Sequence, residues 1–220
     1  MVPGLTRGRL ESVNLAVVRY SPETTDAGYT GIDKRPVRGP VQTGADVLVG
    51  DTISDLRHHG GRNQAVYAYA REDAAWWATE LDRDVTPGMF GENLSTVGVD
   101  VTHAVIGERW AIGTAEFEVC SVRIPCRTFA GFWDVPDLIK RFTAAQRSGA
   151  YLRIWSPGAI EAGDTIEIVH RPDHGVTVDE VFRALTGDHS LAYRLLEAPE
   201  LEEEAHRRAR VWLAGSSAEA

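Results

Sequence analysis

Residues 109–122 have the sequence RWAIGTAEFEVCSV, two short runs in which apolar and polar side chains alternate, divided by Gly113. In the second run, Phe117, Val119 and Ser121 fall on one face of an extended chain. Alternation of this kind is typical of a β-strand with one buried face. The stretch therefore predicts strands, and most of the chain follows the same pattern.

Similar short runs, divided by Gly, Pro and Asp, continue from Leu10 to about Val169. They are LESVNLAVVRY, DTISDLRHH, QAVYAYA, AYLRIW and DTIEIV. Two helices are predicted among them, REDAAWWATEL starting near Arg71 and PDLIKRFTAAQ at about residues 136–146. Many short strands with few helices favour a barrel or sandwich over a parallel βαβ sheet. We predict a mainly β fold with α-helical insertions.

The C-terminal quarter of the chain has a different pattern. After RPDHG, Thr177 and Glu180 fit a capping box, and the segments VFRALTG, SLAYRLLEA and LEEEAHRRARVWLAG show helical periodicity. We predict a main β domain over residues 1–172, a small helical appendage over residues 176–214, and a flexible tail over residues 215–220.

Composition restricts the kind of function. The 220 residues carry a net charge of -9, which argues against general nucleic-acid binding, so any anion site must be local. No apolar run approaches the roughly 20 residues that span a bilayer. The N-terminal segment also lacks the apolar centre of a signal peptide. We expect a cytoplasmic protein without membrane contact.

Residues 121–129, SVRIPCRTF, contain one of only two cysteines. Arg123 and Arg127 favour the thiolate form of Cys126, and the thiolate is the reactive and metal-binding form. Pro125 fixes one backbone dihedral and suits a rigid loop. The alternative is that Cys126 is a small buried hydrophobe at a strand end. Cys120, within FEVCSV, is expected to serve packing.

Two further segments are candidates for ligand binding. In RHHGGRNQ, residues 57–64, two glycines allow a ligand close to the backbone, although the segment also fits a plain turn. Neighbouring histidines point to opposite faces of a strand, so a metal site there is not favoured. In MFGENL, Asn93 can donate to and accept from a heterocycle, or it can bind its own loop.

Taken in order, HGG at residues 59–61, AVYAY, FGEN at residues 90–93, PC at residues 125–126 and GAYLR resemble the MOSC domain. This is the C-terminal domain of molybdenum cofactor sulfurases. The match runs from about Gly31 to Val169 and is closest to the bacterial stand-alone branch that includes the hydroxylaminopurine reductase. The resemblance implies a β-barrel and the molybdenum cofactor, molybdopterin, with the thiolate of Cys126 as a ligand of the metal.

The resemblance also implies which other residues contact the cofactor. Arg123 matches an arginine that accompanies the cysteine loop, and Lys34 and Arg57 are implied partners of the phosphate or the pterin. The implied lining of the pterin pocket is His59, Gly60, Gly61 and Asn93, with Arg153 as a further candidate. Many relatives carry an acidic and then a basic residue soon after HGG, where this chain has Asn63 and Gln64.

The activity implied by the resemblance is reduction of N-hydroxylated compounds, such as hydroxylaminopurine-like bases and hydroxylamines. Two cysteines cannot build a four-cysteine iron–sulfur cluster, so electrons are expected from a separate flavin or iron–sulfur reductase. One alternative is a carrier or sulfuration-related protein that binds the cofactor without turnover. Another is a thiol enzyme with Cys126 as nucleophile and a nearby histidine. At superfamily level the resemblance also implies pyridoxal phosphate binding.

Overall fold

The structure is a computed structural model that describes residues 7–20, 28–54 and 60–216. The strands within these ranges are β1 (Arg7–Ala16), β2 (Arg19–Tyr20), β3 (Tyr29–Thr30), β4 (Lys34–Pro36), β5 (Val41–Gln42), β6 (Val66–Ala70), β7 (Leu94–Val97), β8 (Arg109–Ile112), β9 (Ala115–Val122), β10 (Ala150–Ser156), β11 (Ala159–Ile160) and β12 (Thr165–His170). The helices are α1 (Arg71–Leu81), α2 (Arg127–Trp133), α3 (Leu138–Ala145), α4 (Val178–Thr186), α5 (Ala192–Leu195) and α6 (Glu203–Ser216).

Seven of the strands close into a barrel. Their order is β12, β8, β9, β10, β6, β7 and β1, and β1 pairs back to β12. The pairing is antiparallel except between β6 and β7, where α1 supplies the crossover that a parallel pair needs. Closure satisfies the backbone groups that an open sheet leaves at its edges. The prediction of a mainly β barrel with helical insertions is confirmed.

The stretch RWAIGTAEFEVCSV forms the hairpin of β8 and β9, with Ile112 paired to Ala115 around a two-residue turn. Phe117 and Val119 are buried as the alternation predicts. The opposite face of β9 is buried as well, because α4 packs against this strand and the chain before α6 lies along it. For example, Glu202 N donates to the carbonyl of Cys120 at 3.3 Å.

The helix predictions are partly confirmed. α1 spans the predicted REDAAWWATEL, and the second predicted helix is α3. α2 was not predicted, because its seven residues are too few to show a helical period. The predicted strand DTISDLRHH is wrong for residues 51–54, which form no strand, and residues 55–59 lie outside the described ranges.

The C-terminal helices share one hydrophobic core with the barrel. Phe182 of α4 lies 6.2 Å from Phe142 of α3, ring centre to ring centre. The predicted capping box is present: Glu180 N donates to Thr177 Oγ1, and Thr177 N donates to Glu180 Oε2. α6 continues through residue 216, two residues into the stretch predicted as a tail, and residues 217–220 lie outside the described residues. Within the described ranges, none of the helices has the length and apolar character needed to cross a membrane.

Phe90, from the FGEN segment, lies at the centre of a buried aromatic cluster. Its ring stacks on Tyr69 at 4.1 Å and approaches Trp133 at 4.8 Å. We expect Phe90→Ala to lower the free energy of unfolding by about 3–5 kcal/mol, as large-to-small changes in cores do. Denaturant unfolding measures this value. Val211→Ala, at a position that is 58% exposed, should change it by less than about 0.5 kcal/mol; equal losses would contradict the assignment of Phe90 to the core.

Candidate functional site

A cleft lies beside the end of β9 and the beginnings of β6 and β10. Its space, with the open solvent at its mouth included, is about 710 Å³. The cleft gathers five of the predicted site residues: Lys34, Gly60, Asn93, Arg123 and Cys126. These residues come from four separate segments of the chain, with Arg123 and Cys126 on one loop, so the fold brings them together.

Arg123 is the dominant charge of the cleft. It follows directly after β9 and is only 6% exposed. Its guanidinium lies 5.2 Å from the ring of Tyr67 and 4.8 Å from the ring of Phe129. Among the described residues, no carboxylate lies within ion-pair distance of Arg123, and its Nε atom has no hydrogen-bond partner. A buried cation without a counterion is stabilised when an anionic ligand binds.

Cys126 lines the same cleft and is partly exposed. Pro125 precedes it, and α2 begins at the next residue, with Ala130 N donating to the Cys126 carbonyl at 3.0 Å. The loop after β9 thus presents the thiol at the start of a helix. No histidine among the described residues lines the cleft; His58 and His59 lie outside them. The alternative of a cysteine nucleophile activated by histidine would need one of these two residues beside the thiol.

Cys120 has a different environment, as the sequence predicts. It is fully buried, and its Sγ donates to the Asn63 carbonyl at 3.3 Å. Burial raises the pKa of this thiol to about 11, so it stays protonated at neutral pH. Cys120 is a packing residue, and Cys126 is the thiol that a ligand in the cleft can reach.

Asn93 and Lys34 are engaged with the protein itself. The Asn93 side chain accepts from Tyr67 N at 3.2 Å and donates to the Asn14 carbonyl at 3.2 Å and to Asp51 Oδ2 at 2.8 Å. All three partners lie in other segments of the chain, so the amide joins those segments and these bonds are not to its own loop. Lys34 pairs with Asp51, and burial lowers the pKa of the lysine.

The HGG segment is described only from Gly60 onward. Arg57 and His59, two predicted cofactor contacts, lie outside the described residues. Gly60 lines the cleft and Gly61 does not. Both have positive φ, at 92° and 74°, a conformation that favours glycine. Gln64, where many relatives carry charge, lines the cleft and accepts from Gly60 N at 3.2 Å.

Arg153 is a predicted cofactor contact that the structure does not bring to the cleft. It lies two residues beyond Tyr151 on β10, roughly 7 Å farther along the strand. There its Nε lies 3.3 Å from Glu118 Oε1, and its guanidinium also donates to the Glu200 carbonyl. Because Glu200 belongs to the chain between α5 and α6, Arg153 joins the barrel to the helical appendage.

Replacement of Arg153 should therefore affect stability and leave ligand binding unchanged. We expect Arg153→Met to lower the free energy of unfolding by about 1–3 kcal/mol, because Glu118 loses its partner. Anion binding in the cleft, measured by calorimetry, should match wild type. Arg7→Met is the control, since the Arg7–Glu167 pair is exposed and should contribute less than about 1 kcal/mol. Weaker anion binding with unchanged stability would instead assign Arg153 to the cleft.

Asp51, Tyr67 and Tyr151 are among the lining residues that were not predicted. Tyr67 and Tyr151 are directly paired across β6 and β10, and their ring centres lie 5.2 Å apart. Their contact depends on strand register between distant segments, for which the local sequence gives no signal. Asp51 falls in the segment that was predicted to be a strand, where an alternating polar residue is expected to face solvent.

The chain thus forms a closed β-barrel with C-terminal helices. Its cleft combines a thiol with a buried arginine that has no ion pair among the described residues. Comparison with known proteins makes the assignment specific. Residues 55–167, more than half of the chain, match the MOSC domain. The protein belongs to the MOSC domain family, as the resemblance implied.

Relatives and solved structures agree with this assignment. The chain is 30% identical over 149 residues to the uncharacterized protein YflK of Bacillus subtilis, covering 68% of this chain and 67% of that protein. It is 30% identical over 154 residues to a protein named reductase from Gibberella moniliformis, covering 68% of this chain and only 27% of the relative. The crystal structure of YiiM from Geobacillus stearothermophilus superimposes with a TM-score of 0.77 at 25% identity, covering 94% of this chain and 99% of that one.

Proposed function

We propose that this MOSC protein is a molybdenum-cofactor-binding oxidoreductase that reduces N-hydroxylated compounds, such as hydroxylaminopurine-like bases and hydroxylamines. The observation that carries the proposal is the pairing of a cleft-lining thiol, Cys126, with a buried guanidinium, Arg123, that has no carboxylate partner among the described residues. The thiolate of Cys126 is a soft metal ligand, and the guanidinium of Arg123 is a cation to which an anionic ligand can bind.

The residues present fit the cofactor. The thiolate of Cys126 would hold the molybdenum, because soft sulfur ligands suit a metal that is already bound by sulfur. Arg123 and Lys34 would hold phosphate or pterin oxygens, and Gly60 would let the ligand approach the backbone. Arg57 and His59 remain proposed contacts, and they lie outside the described residues.

The proposed reaction converts R–NHOH, two electrons and two protons into R–NH₂ and water. When bound, the cofactor supplies the two-electron chemistry. The chain binds and orients the substrate. Tyr151 lines the cleft, and its pKa lies above the ordinary value because burial disfavours the phenolate. Its hydroxyl therefore keeps its proton at neutral pH and can donate a hydrogen bond to a polar substrate.

Electrons are proposed to come from a separate flavin or iron–sulfur protein. The chain has two cysteines, and the described residues contain no group of three or more His, Cys, Asp or Glu that could hold a metal ion. The relative named reductase is much longer than the stretch it shares with this chain. Its printed name supports the proposal of a reductive role.

The test is a turnover assay on protein purified from a host that makes the cofactor. With dithionite and methyl viologen as electron source, we expect conversion of 6-hydroxylaminopurine to adenine and of simple hydroxylamines to amines. Protein loaded with molybdenum that shows no turnover of either would favour a cofactor carrier or sulfuration-related protein. Pyridoxal phosphate is measured in the same samples, and its presence in place of molybdenum would contradict the proposal.

A further inference from the structure

Asp51 is a buried carboxylate at the wall of the cleft, with 1% of its side chain exposed. It joins three distant segments. Oδ1 accepts from Ala16 N, at the end of β1, at 2.8 Å. Oδ2 accepts from Asn93 Nδ2 at 2.8 Å and from the ammonium of Lys34. Two of these three donors belong to side chains that line the cleft.

Lys34 needs such a partner, because its own side chain is only 9% exposed. Burial lowers the pKa of Lys34, and the nearby positive charge of Arg123 lowers it further. Asp51 opposes both effects by its charge and its hydrogen bond, and Glu92 adds a smaller effect in the same direction. These three groups are the charges that face Lys34 in the described structure, and Asp51 is the one in contact with it.

The ammonium of Lys34 retains binding capacity. A lysine ammonium has three donors, and among the described residues the ammonium of Lys34 donates to Asp51 Oδ2. The other donors are available to a ligand in the cleft. An oxyanion beside Lys34 can also meet the guanidinium of Arg123, which lines the same cleft and has no ion pair within the described ranges.

We propose that Asp51 is a positioning residue of the cleft, which keeps Lys34 charged and directs its ammonium towards an oxyanion bound between Lys34 and Arg123. The identity of that oxyanion as part of the cofactor rests on the proposed function. The role of Asp51 does not, because any oxyanion of suitable size tests it. The expected consequence is a pH dependence of anion binding that Asp51 sets through Lys34.

The experiment measures sulfate binding to the full-length chain, prepared without cofactor, by calorimetry between pH 6 and pH 10. Sulfate keeps its charge over this range, and chloride at equal ionic strength serves as the blank. The ammonium is present below the pKa of Lys34 and is lost above it, so wild-type affinity should fall as pH rises. In Asp51→Asn, this fall should begin at least about one pH unit lower, which corresponds to roughly tenfold weaker binding within that window.

Glu92→Gln is the matched control. Glu92 is equally buried near the same cleft, and it accepts from Gly88 N at 2.7 Å, Phe90 N at 3.0 Å and Ser95 Oγ at 2.7 Å. These bonds stabilise the loop of Glu92, and its carboxylate does not contact Lys34. The pH at which sulfate affinity has fallen by half should therefore stay within a few tenths of a pH unit of wild type. An equal shift in both variants would mean general loosening of the cleft and would overturn the proposal.

Lys34→Gln provides a test that does not depend on folding of the Asp51 variant. It should bind sulfate weakly, through Arg123, and should lack the part of the pH dependence that Asp51→Asn shifts. A Lys34→Gln protein with the wild-type pH profile would overturn the proposal, as would wild-type protein that does not bind sulfate. Neither result depends on molybdenum or turnover, so failure of the proposed function remains a separate outcome.

Discussion

Cys126→Ser is expected to lose at least about 100-fold in molybdenum retention and in reduction of N-hydroxylated compounds. Replacing groups that merely support a metal ligand typically costs about 10–100-fold, and loss of the ligand itself should cost no less. A serine hydroxyl keeps the size of the side chain but is a hard, protonated donor that suits the metal poorly. Metal analysis by mass spectrometry and turnover with dithionite and methyl viologen measure the two effects.

Cys120→Ser is the matched control for this prediction. Cys120 is fully buried and donates to a backbone carbonyl, a contact that a serine hydroxyl can also make. Molybdenum content should therefore stay within about twofold of wild type in protein that folds. If the two variants retained equal molybdenum, Cys126 would not be the metal ligand, and the family resemblance would have assigned the wrong role to this thiol.

Arg123→Met is expected to separate ligand binding from stability. The buried guanidinium has no carboxylate partner among the described residues, so replacing it with an apolar side chain of similar length removes a desolvated charge. Burying an ion costs several kcal/mol, and removal of that cost offsets the ring contacts that are lost. We expect an unfolding free energy equal to or above that of wild type. Sulfate affinity and cofactor content should each fall at least about tenfold, because the main cation of the cleft is lost.

A purely structural role for Arg123 predicts the opposite outcome. In that case Arg123 would contribute to the free energy of unfolding through its contacts with the rings of Tyr67 and Phe129. Arg123→Met would then be destabilised by about 1–2 kcal/mol, and its anion binding would equal that of wild type. Arg123→Lys distinguishes charge from geometry, since a lysine keeps the charge and loses the planar fork that binds oxyanions in pairs. Denaturant unfolding and sulfate calorimetry on the same preparations supply both measurements.

Local sequence predicted the strands and helices better than their arrangement. The hairpin of β8 and β9, helix α1 and the capping box at Thr177 each depend on residues close in sequence, and each is present. The parallel pairing of β6 with β7 and the closure of β1 onto β12 depend on contacts between distant segments. Local alternation carries no information about those contacts, so the barrel itself was implied by the resemblance.

In the candidate site, too, local sequence identified residues within one motif and gave no signal for contacts between distant segments. The motif around the cysteine identified Cys126 and Arg123, which share one loop, and the family resemblance implied Lys34 as a further contact. The structure places Arg153 outside the lining of the cleft, because a strand carries residues on one face to different neighbours along its length, and here the neighbour is the helical appendage. Asp51 was missed because its partners are remote in sequence, at positions 16, 34 and 93.

The most direct test of this account is the molybdenum and pterin content of the wild-type chain, purified from a host that makes the cofactor. Mass spectrometry for the metal and fluorescence of the oxidised pterin give both quantities per chain. We predict molybdenum and pterin in equal amounts, approaching one of each per chain. Fully folded protein that carries neither, from cells whose other molybdenum enzymes are loaded, would contradict the assignment of the cleft as a molybdenum-cofactor site.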